Sequence, residues 1–302
     1  DVTVPPYLSW GLIVRNCAAT LERCLTSVRQ RTPNAEIVVV DTCSRDDSGV
    51  DVAFARSSWR EIDDAVLRDL LEAEDLDLVH LDVPPKCLLP DAPVTVRVRA
   101  RHGVKIPAAI HGAAMMRAAK AVNLTALSVN YGHSTREIAE RYADIFEVYH
   151  GPKGDWSDSM DWFDDAAAAR NRTMELSHGE VFGWIDSDDI LPDGKTCEAL
   201  LKKNGRWQPA GPEKPVIEVQ SKDAEQLPTL EEIIRESYTR FPDTDALWAP
   251  YMYRPGDAGE GLEWQDRERF VRNWKKWEWK ESSHEVLVAK NPKDQRPSVY
   301  LA

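Results

Sequence analysis

No apolar run in the sequence approaches the roughly 18 residues that a membrane span needs, and the mean hydropathy is −0.47. No membrane span is therefore expected. Cysteine is sparse and unpatterned. Cys17, Cys24, Cys43, Cys87 and Cys197 show no C-x-x-C spacing, so neither a zinc ribbon nor a disulfide framework is indicated. A reducing cytoplasm is the expected setting. Positive charge is in deficit: the formal net charge is −13, which argues against general affinity for nucleic acid. Glycine is absent from "VRNCAATLERC" (14–24), where a nucleotidyltransferase would carry a Gly-rich, Lys-containing phosphate loop. Internal repeats and low-complexity segments are also missing. No signal peptide is visible, but the chain opens on Asp1 rather than Met and stops abruptly at "RPSVYLA", so a longer parent chain and a trimmed leader stay open. The sequons at Asn123 and Asn171 are short enough to arise by chance.

What is present is an alternation of strands and helices in a chain whose 42% hydrophobic content suffices for one large core or two smaller ones. "LSWGLIV" (8–14) reads as a strand. "NCAATLERCLTSVRQ" (16–30) follows with Leu21, Cys24, Leu25 and Val28 on one helical face. "EIVVVD" (36–41) is a continuous apolar run ending in Asp41, which suits a parallel strand covered on both faces. Together they make a βαβ unit. After a less regular stretch the pattern resumes at "STREIAERYA", where Ser134 and Glu137 have capping-box spacing. "DIFEVYHG" reads as a strand, and "DDAAAARNRTMELSHG" as an Ala-rich helix ended by Gly179. "EVFGWI" is the next strand, "TLEEIIRESYTR" a helix, and "ALWAPYMY", "RERFVRN" and "SSHEVLVAK" further strands. The class is α/β with a mostly parallel sheet flanked by helices.

The stretch "EVFGWIDSDDILPDG" (180–194) aims Asp186, Asp188 and Asp189 from the end of an apolar run. Ligands of open α/β sheets bind beyond the carboxyl ends of the strands, and Asp41 stands at another such end. Clustered carboxylates there are tolerable if a divalent cation neutralises them. Mg²⁺ and Mn²⁺ want oxygen ligands and complete their shells with phosphates. The plain alternative is an acidic turn at a helix N-terminus. A calcium loop does not fit, because the fifth position from Asp186 is Ile190 and no Gly follows.

"GLIVRNCAATLERCLTSV", "EIVVVDTCSRDDS", "STREIAERYADIFEV", "DDAAAARNRTMELSHGEVFGWIDSDDIL" and "RERFVRNWKKWEWKESSHEVLV" occur in that order. Together they resemble glycosyltransferase family 2, the inverting enzymes of the GT-A fold. The resemblance covers roughly residues 1–49 and 134–302. It implies a single Rossmann-like, mostly parallel sheet and a metal-dependent transfer of a sugar, of hexosyltransferase type. The donor would be a nucleoside diphosphate sugar, UDP-linked by preference, and the receiver an acceptor hydroxyl. The resemblance assigns the nucleotide base to Val14, Arg15, Asn16 and Asp41, and places Asp165 and Arg170 near the nucleotide. Asp186 would face the ribose, with Ser187 beside it. Asp188 and His284 would hold Mn²⁺ or Mg²⁺, with Asp189 supporting them and Glu285 orienting His284 or the acceptor. An inverting transfer needs a carboxylate base, for which Glu263 and Asp266 are the candidates, ahead of Glu285. Arg170 has a plain alternative in a local carboxylate, and His284 in a structural role. Trp274, Trp277 and Trp279 are either an acceptor platform or strand packing.

The sequence departs from that family at residues 50–134, which stand between the second strand and the next helix. The expected division is a transferase domain of 1–49 and 135–302, with 50–134 an inserted subdomain or acceptor-shaping lid. Within the insertion, "WREIDDAVLRDLLEAE" reads as an amphipathic helix and "LDLVHLDV" as a strand. "VTVRVRARHGVK" alternates, putting Arg97, Arg99 and Arg101 on one face, and "PAAIHGAAMMRAAKAV" and "LTALSV" read as helix and strand. The basic face would suit an anionic acceptor such as nucleic acid or a phosphorylated lipid or glycan, or is simply a solvated strand face. Ala166 also replaces the aromatic that often precedes the "AARN" run. A non-catalytic nucleotide-sugar or glycan-binding module is the alternative to a transferase.

Overall fold

The computed structural model describes residues 5–44, 50–55, 57, 64–74, 76–83, 93–100, 108–121, 125–130, 134–156, 165–193, 216–217, 228–255, 261–272, 274–281, 285–291, 293 and 298–301. The chain begins with β1 (Leu8–Val14), α1 (Ala18–Arg31) and β2 (Glu36–Asp41). Next come β3 (Val50–Phe54), α2 (Asp64–Glu72), β4 (Leu76–Asp82), β5 (Val94–Ala100), α3 (Ala108–Ala121) and β6 (Ala126–Asn130). α4 (Thr135–Tyr142), β7 (Ile145–Val148), α5 (Ala166–Leu176) and β8 (Val181–Trp184) follow. The remainder holds β9 (Val216–Ile217), α6 (Leu230–Arg240), β10 (Ala246–Pro255), β11 (Gly261–Arg272), β12 (Trp277–Lys280), β13 (Val286–Ala289) and β14 (Ser298–Leu301).

The central sheet has eight strands in the order β7-β2-β1-β8-β11-β10-β14-β9. β1 is buried along its whole length, as a central strand covered on both faces must be. It pairs in parallel with β2, Val14 beside Asp41, and with β8 on its other side. β2 pairs in parallel with β7. Only β11 runs against its neighbours β8 and β10. The sheet is therefore mostly parallel and flanked by helices, as the α/β reading and its GT-A arrangement expect. From β1 the chain steps to β2 and β7 on one side and returns to β8 on the other. Such a reversal opens a crevice at the carboxyl ends of the strands.

α1, α4 and α6 cover one face. Leu12, Leu21, Leu25, Ile37, Val39, Ile138 and Ile234 pack there. The Ser134–Glu137 capping box of α4 is formed from both sides. α5 and the β12–β13 hairpin cover the other face. Gly11 lets α5 approach: a Cβ on it would lie 2.5 Å from the Phe182 ring and 2.6 Å from Thr173 Oγ1. α5 ends at Leu176, three residues before the expected Gly179 stop, because Ser177 already adopts an extended conformation (ψ 145°). Trp277 and Trp279 are buried against Phe182, Trp184 and Val271. They are core residues, which removes them from an acceptor platform.

Strands β3 to β6 form their own four-stranded antiparallel sheet, in the order β4-β5-β3-β6. Val50, Val52, Phe54, Val96 and Val98 pack with Leu67, Leu71 and Met115 from α2 and α3. That cluster is separate from those of the central sheet. The alternation of β5 puts Arg97 on the opposite face. Arg97 is nevertheless 0% exposed, because α1 packs against β4 and β5. Arg23 of α1 bonds Asp82 of β4 at 2.5 Å. The expected basic face is thus corrected at Arg97, which is closed to any polyanion. The Arg99 side chain and Arg101 lie outside the described residues.

Candidate functional site

The carboxyl ends of β1, β2 and β8 meet at one edge of the central sheet. At the end of β1, Arg15 donates through Nη1 to the Thr42 carbonyl at 3.0 Å. Asn16 takes a positive φ of 48°, and its N–H reaches Ser44 Oγ at 3.0 Å. At the end of β2, Asp41 is fully buried. Its Oδ1 accepts from Ser44 N at 2.9 Å and from Ser44 Oγ at 2.6 Å, and its Oδ2 from Arg136 Nε at 3.0 Å. Burial pushes the Asp41 carboxyl up, and the bonds from Ser44 and Arg136 hold it only partly back. Val14, Arg15, Asn16 and Asp41 thus lie together, Ser44 linking Asn16 to Asp41 and Thr42 linking Val14 to Arg15.

β8 hands its chain to the acidic turn. Asp186 and Asp189 close it, Asp189 N donating to the Asp186 carbonyl at 3.0 Å and Asp186 N to Asp189 Oδ2 at 3.2 Å. Each of these two carboxylates has its own counterion. Arg170 Nη2 meets Asp186 Oδ1 at 2.5 Å, and Arg170 Nε donates to Glu285. Burial alone would push Asp186 up. The Arg170 guanidinium outweighs it and holds the carboxyl below the usual range. Burial would likewise lower Arg170, and Asp186 and Glu285 keep it charged. Its guanidinium also lies 4.9 Å from the Trp184 ring centroid and 5.1 Å from that of Trp279, where cation–π attraction adds to the pair. Arg170 therefore pairs with local carboxylates in this structure.

Asp189 meets Arg269 Nη2 at 3.4 Å and accepts from the Tyr251 hydroxyl at 2.8 Å. Burial, with Asp186 and Asp188 nearby, pushes its carboxyl up to about 6 despite Arg269. Asp188 differs from both neighbours. It is exposed, and among the described residues no hydrogen bond or ion pair engages its carboxylate. One carboxylate of the turn thus stays open to a ligand while the others are held in place. That donor set fits a hard cation, since Mg²⁺ needs only one or two protein carboxylates beside phosphate oxygens. Among the described residues no group of three or more His, Cys, Asp or Glu side chains is arranged to hold a metal ion. His284 lies outside the described residues.

Residues 9–59 match the sequence profile of glycosyl transferase family 2. This stretch is similar to that family. It spans β1, α1, β2 and the first strand of the insertion, which is the half of the site around Asp41. A search of the curated proteins finds no match to the chain. The similarity to family 2 lies in this segment, and the mostly parallel sheet flanked by helices agrees with a GT-A arrangement.

The rest of the expected site is placed as follows. Asp165 is the N-cap of α5, accepting from Ala168 N at 2.9 Å. Ser187 lies in the acidic turn. Glu263 and Asp266 sit on β11, in register with Tyr253 and Pro250 of β10. Arg272 to Phe270 of β11 pair with Val181 to Gly183 of β8, so the β10–β11 ribbon continues past the carboxyl end of β8. The side chains of Glu263 and Asp266 lie outside the described residues. Ser44, Arg136, Tyr251, Arg269 and Asn171 were not foreseen. Asn171 clamps the β12–β13 hairpin to α5, donating to the Trp279 carbonyl at 3.0 Å and accepting from Trp279 N at 2.8 Å. Among the described residues no helix is long and apolar enough to cross a membrane.

Proposed function

We propose that the protein is a metal-dependent inverting glycosyltransferase that uses a nucleoside diphosphate sugar, UDP-linked by preference. The observation that carries this reading is the division of labour in the acidic turn. Asp186 and Asp189 are each locked to a guanidinium, and Asp188 alone is left open beside the switch point of the sheet. Asp188, His284 and the donor diphosphate would hold Mn²⁺ or Mg²⁺, which supplies charge stabilisation for the departing diphosphate. Asp41, Arg15 and Asn16 line the place for the base, and Asp186 and Ser187 that for the ribose.

In the transfer a carboxylate takes the proton of the acceptor hydroxyl. The acceptor oxygen bonds the anomeric carbon from the face opposite the phosphate, and the carbon–phosphate-oxygen bond breaks to release the nucleoside diphosphate. Glu263 and Asp266 are the proposed bases, because their ribbon projects past the acidic turn. Glu285 is ranked below them, since its carboxylate is already engaged by Arg170. The acceptor class is left to experiment, the buried Arg97 offering no support for an anionic one. The alternative is a nucleotide-sugar-binding module without turnover.

A panel of nucleotide sugars, read by calorimetry and by nucleoside diphosphate release with and without Mn²⁺, tests the proposal. Metal-dependent binding of one donor with slow hydrolysis is expected. Asp188→Ala should cut turnover on the order of 10²-fold or more while leaving the melting temperature within about 1 °C, by the usual size of a surface substitution. Binding without any turnover would select the binding module. No donor binding with metal present, and no effect of Asp188→Ala, would reduce the carboxylates to an ordinary acidic turn.

A further inference from the structure

The inserted sheet leaves and rejoins the central fold on either side of one carboxylate. Ser44 is the last described residue before β3, and both its N–H and its hydroxyl bond Asp41 Oδ1. Arg136 lies in the first turn of α4, just after β6, and bonds Asp41 Oδ2. β3 and β6 are themselves neighbours, Asp51 pairing with Asn130. Ser44 and Arg136, which flank the inserted sheet along the chain, therefore meet at one carboxylate, and Asp41 stands between them with both oxygens engaged and no exposed surface. Ser44 Oγ also takes the Asn16 N–H, which brings the end of β1 into the same network. A fully buried carboxylate is costly without such partners, so the junctions and the carboxylate hold each other in place.

We propose that Asp41 is the anchor of the insertion: it pins the outgoing and returning chain of the inserted sheet to the nucleotide end of the central sheet. The insertion and that end of the site then respond to one another. Where Asp41 also reads the donor base, which rests on the proposed function, a base N–H must share or displace the bond from Arg136. Donor binding would then be felt by β3 and β6, through Ser44 and α4. Arg136 is a positioning residue in this scheme, acting through Asp41. Its side chain is 39% exposed, so its replacement leaves no large cavity. The second tie of the insertion, Arg23 to Asp82, is on β4, two strands from β3, and serves as a control.

The test is hydrogen exchange read by mass spectrometry on the whole protein, first without ligand. In Arg136→Gln the amides of β3 and β6 should exchange at least tenfold faster. Those of β8 and α5 should keep their wild-type rates, and Arg136→Lys should restore most of the protection. Arg23→Gln should loosen β4 before β3 or β6. Unchanged exchange at β3 and β6, or a uniform rise across all strands, would overturn the anchor. UDP with Mn²⁺ is then added to wild type and to Arg136→Gln. A change in β3 and β6 exchange that is present in wild type and lost in the variant is the expected sign of coupling. Binding of UDP with no response in β3 or β6 would refute the coupling. A wild type that binds no nucleotide of the panel would sink the transferase reading instead, with the anchor decided by the ligand-free arm.

Discussion

Strands β1, β2 and β8 of the central sheet and the inserted sheet handle charge in opposite ways. In β1, β2 and β8 of the central sheet the strand interiors carry no charged residue, and carboxylates stand at strand ends: Glu36 at the start of β2, Asp41 at its end, and the acidic turn after β8. There each finds a partner from a neighbouring element, or is left to solvent as Asp188 is. The inserted sheet carries a fully buried guanidinium in mid-strand, at Arg97. Its apolar face is closed by its own helices, but its charged face is closed by α1 of the other sheet. A charge at a strand end can be arranged locally. A charge in the middle of a strand commits that sheet to whatever covers it. The central sheet is self-sufficient in this respect, and the inserted sheet is not.

Substitutions can break or sharpen this contrast. The largest effect is expected from Arg170→Met, which leaves Asp186 and Glu285 without their shared counterion. Breaking a buried pair costs about 3–5 kcal/mol, measurable as a lower midpoint in denaturant unfolding, whereas Asp188→Ala should shift that midpoint hardly at all. Equal shifts for the two would mean that strand-end charges are not individually partnered. Leu71→Ala should cost about 2–5 kcal/mol, and limited proteolysis should cut within 50–130 while sparing β1, β2 and β8. Simultaneous loss of both sheets would show that the central one is not self-sufficient. Gly11→Ala forces a methyl against Phe182 and Thr173 and should cost roughly 1–3 kcal/mol, seen as a drop in melting temperature with no selective loosening of the insertion.

The smallest effect concerns α6. Glu232 is held below its ordinary value of 4.5 by the Thr229 N–H and then by the Thr229 hydroxyl. A depressed folded-state value means that the contribution is present above the ordinary value and lost as pH falls through the depressed one. The melting-temperature difference between wild type and Glu232→Gln should therefore be visible at neutral pH and close on acidification below about 4, near the reference value for Glu. A difference that persists at low pH would assign the effect to something other than the carboxylate.

The first βαβ unit, the α4 capping box and the acidic turn were legible because each is written in a short window. Apolar period, cap spacing and the end of an apolar run all lie within a few residues of each other. The partners of the carboxylates were not, because they come from afar. Arg136 is 95 residues from Asp41, Tyr251 is 62 from Asp189, and Glu285 is 115 from Arg170. Nothing local in "RERFVRN" marks Arg269 as the one that turns back to the acidic turn. The burial of Arg97 is hidden from the sequence for the same reason: alternation predicts which face a residue takes, but not whether another element lies on that face. The tryptophans of "NWKKWEWKE" were open between two readings, and packing against Trp184 decided for the core.

The antiparallel pairing of β3 with β6 has a consequence for how such a chain can change over time. A segment whose first and last strands are hydrogen-bonded neighbours begins and ends at nearly the same point in space. Removing it leaves a gap that a short turn from Ser44 to Ser134 would bridge, and enlarging it disturbs no strand order in the sheet beneath. The insertion is in this sense a graft, with Asp41 at the graft point.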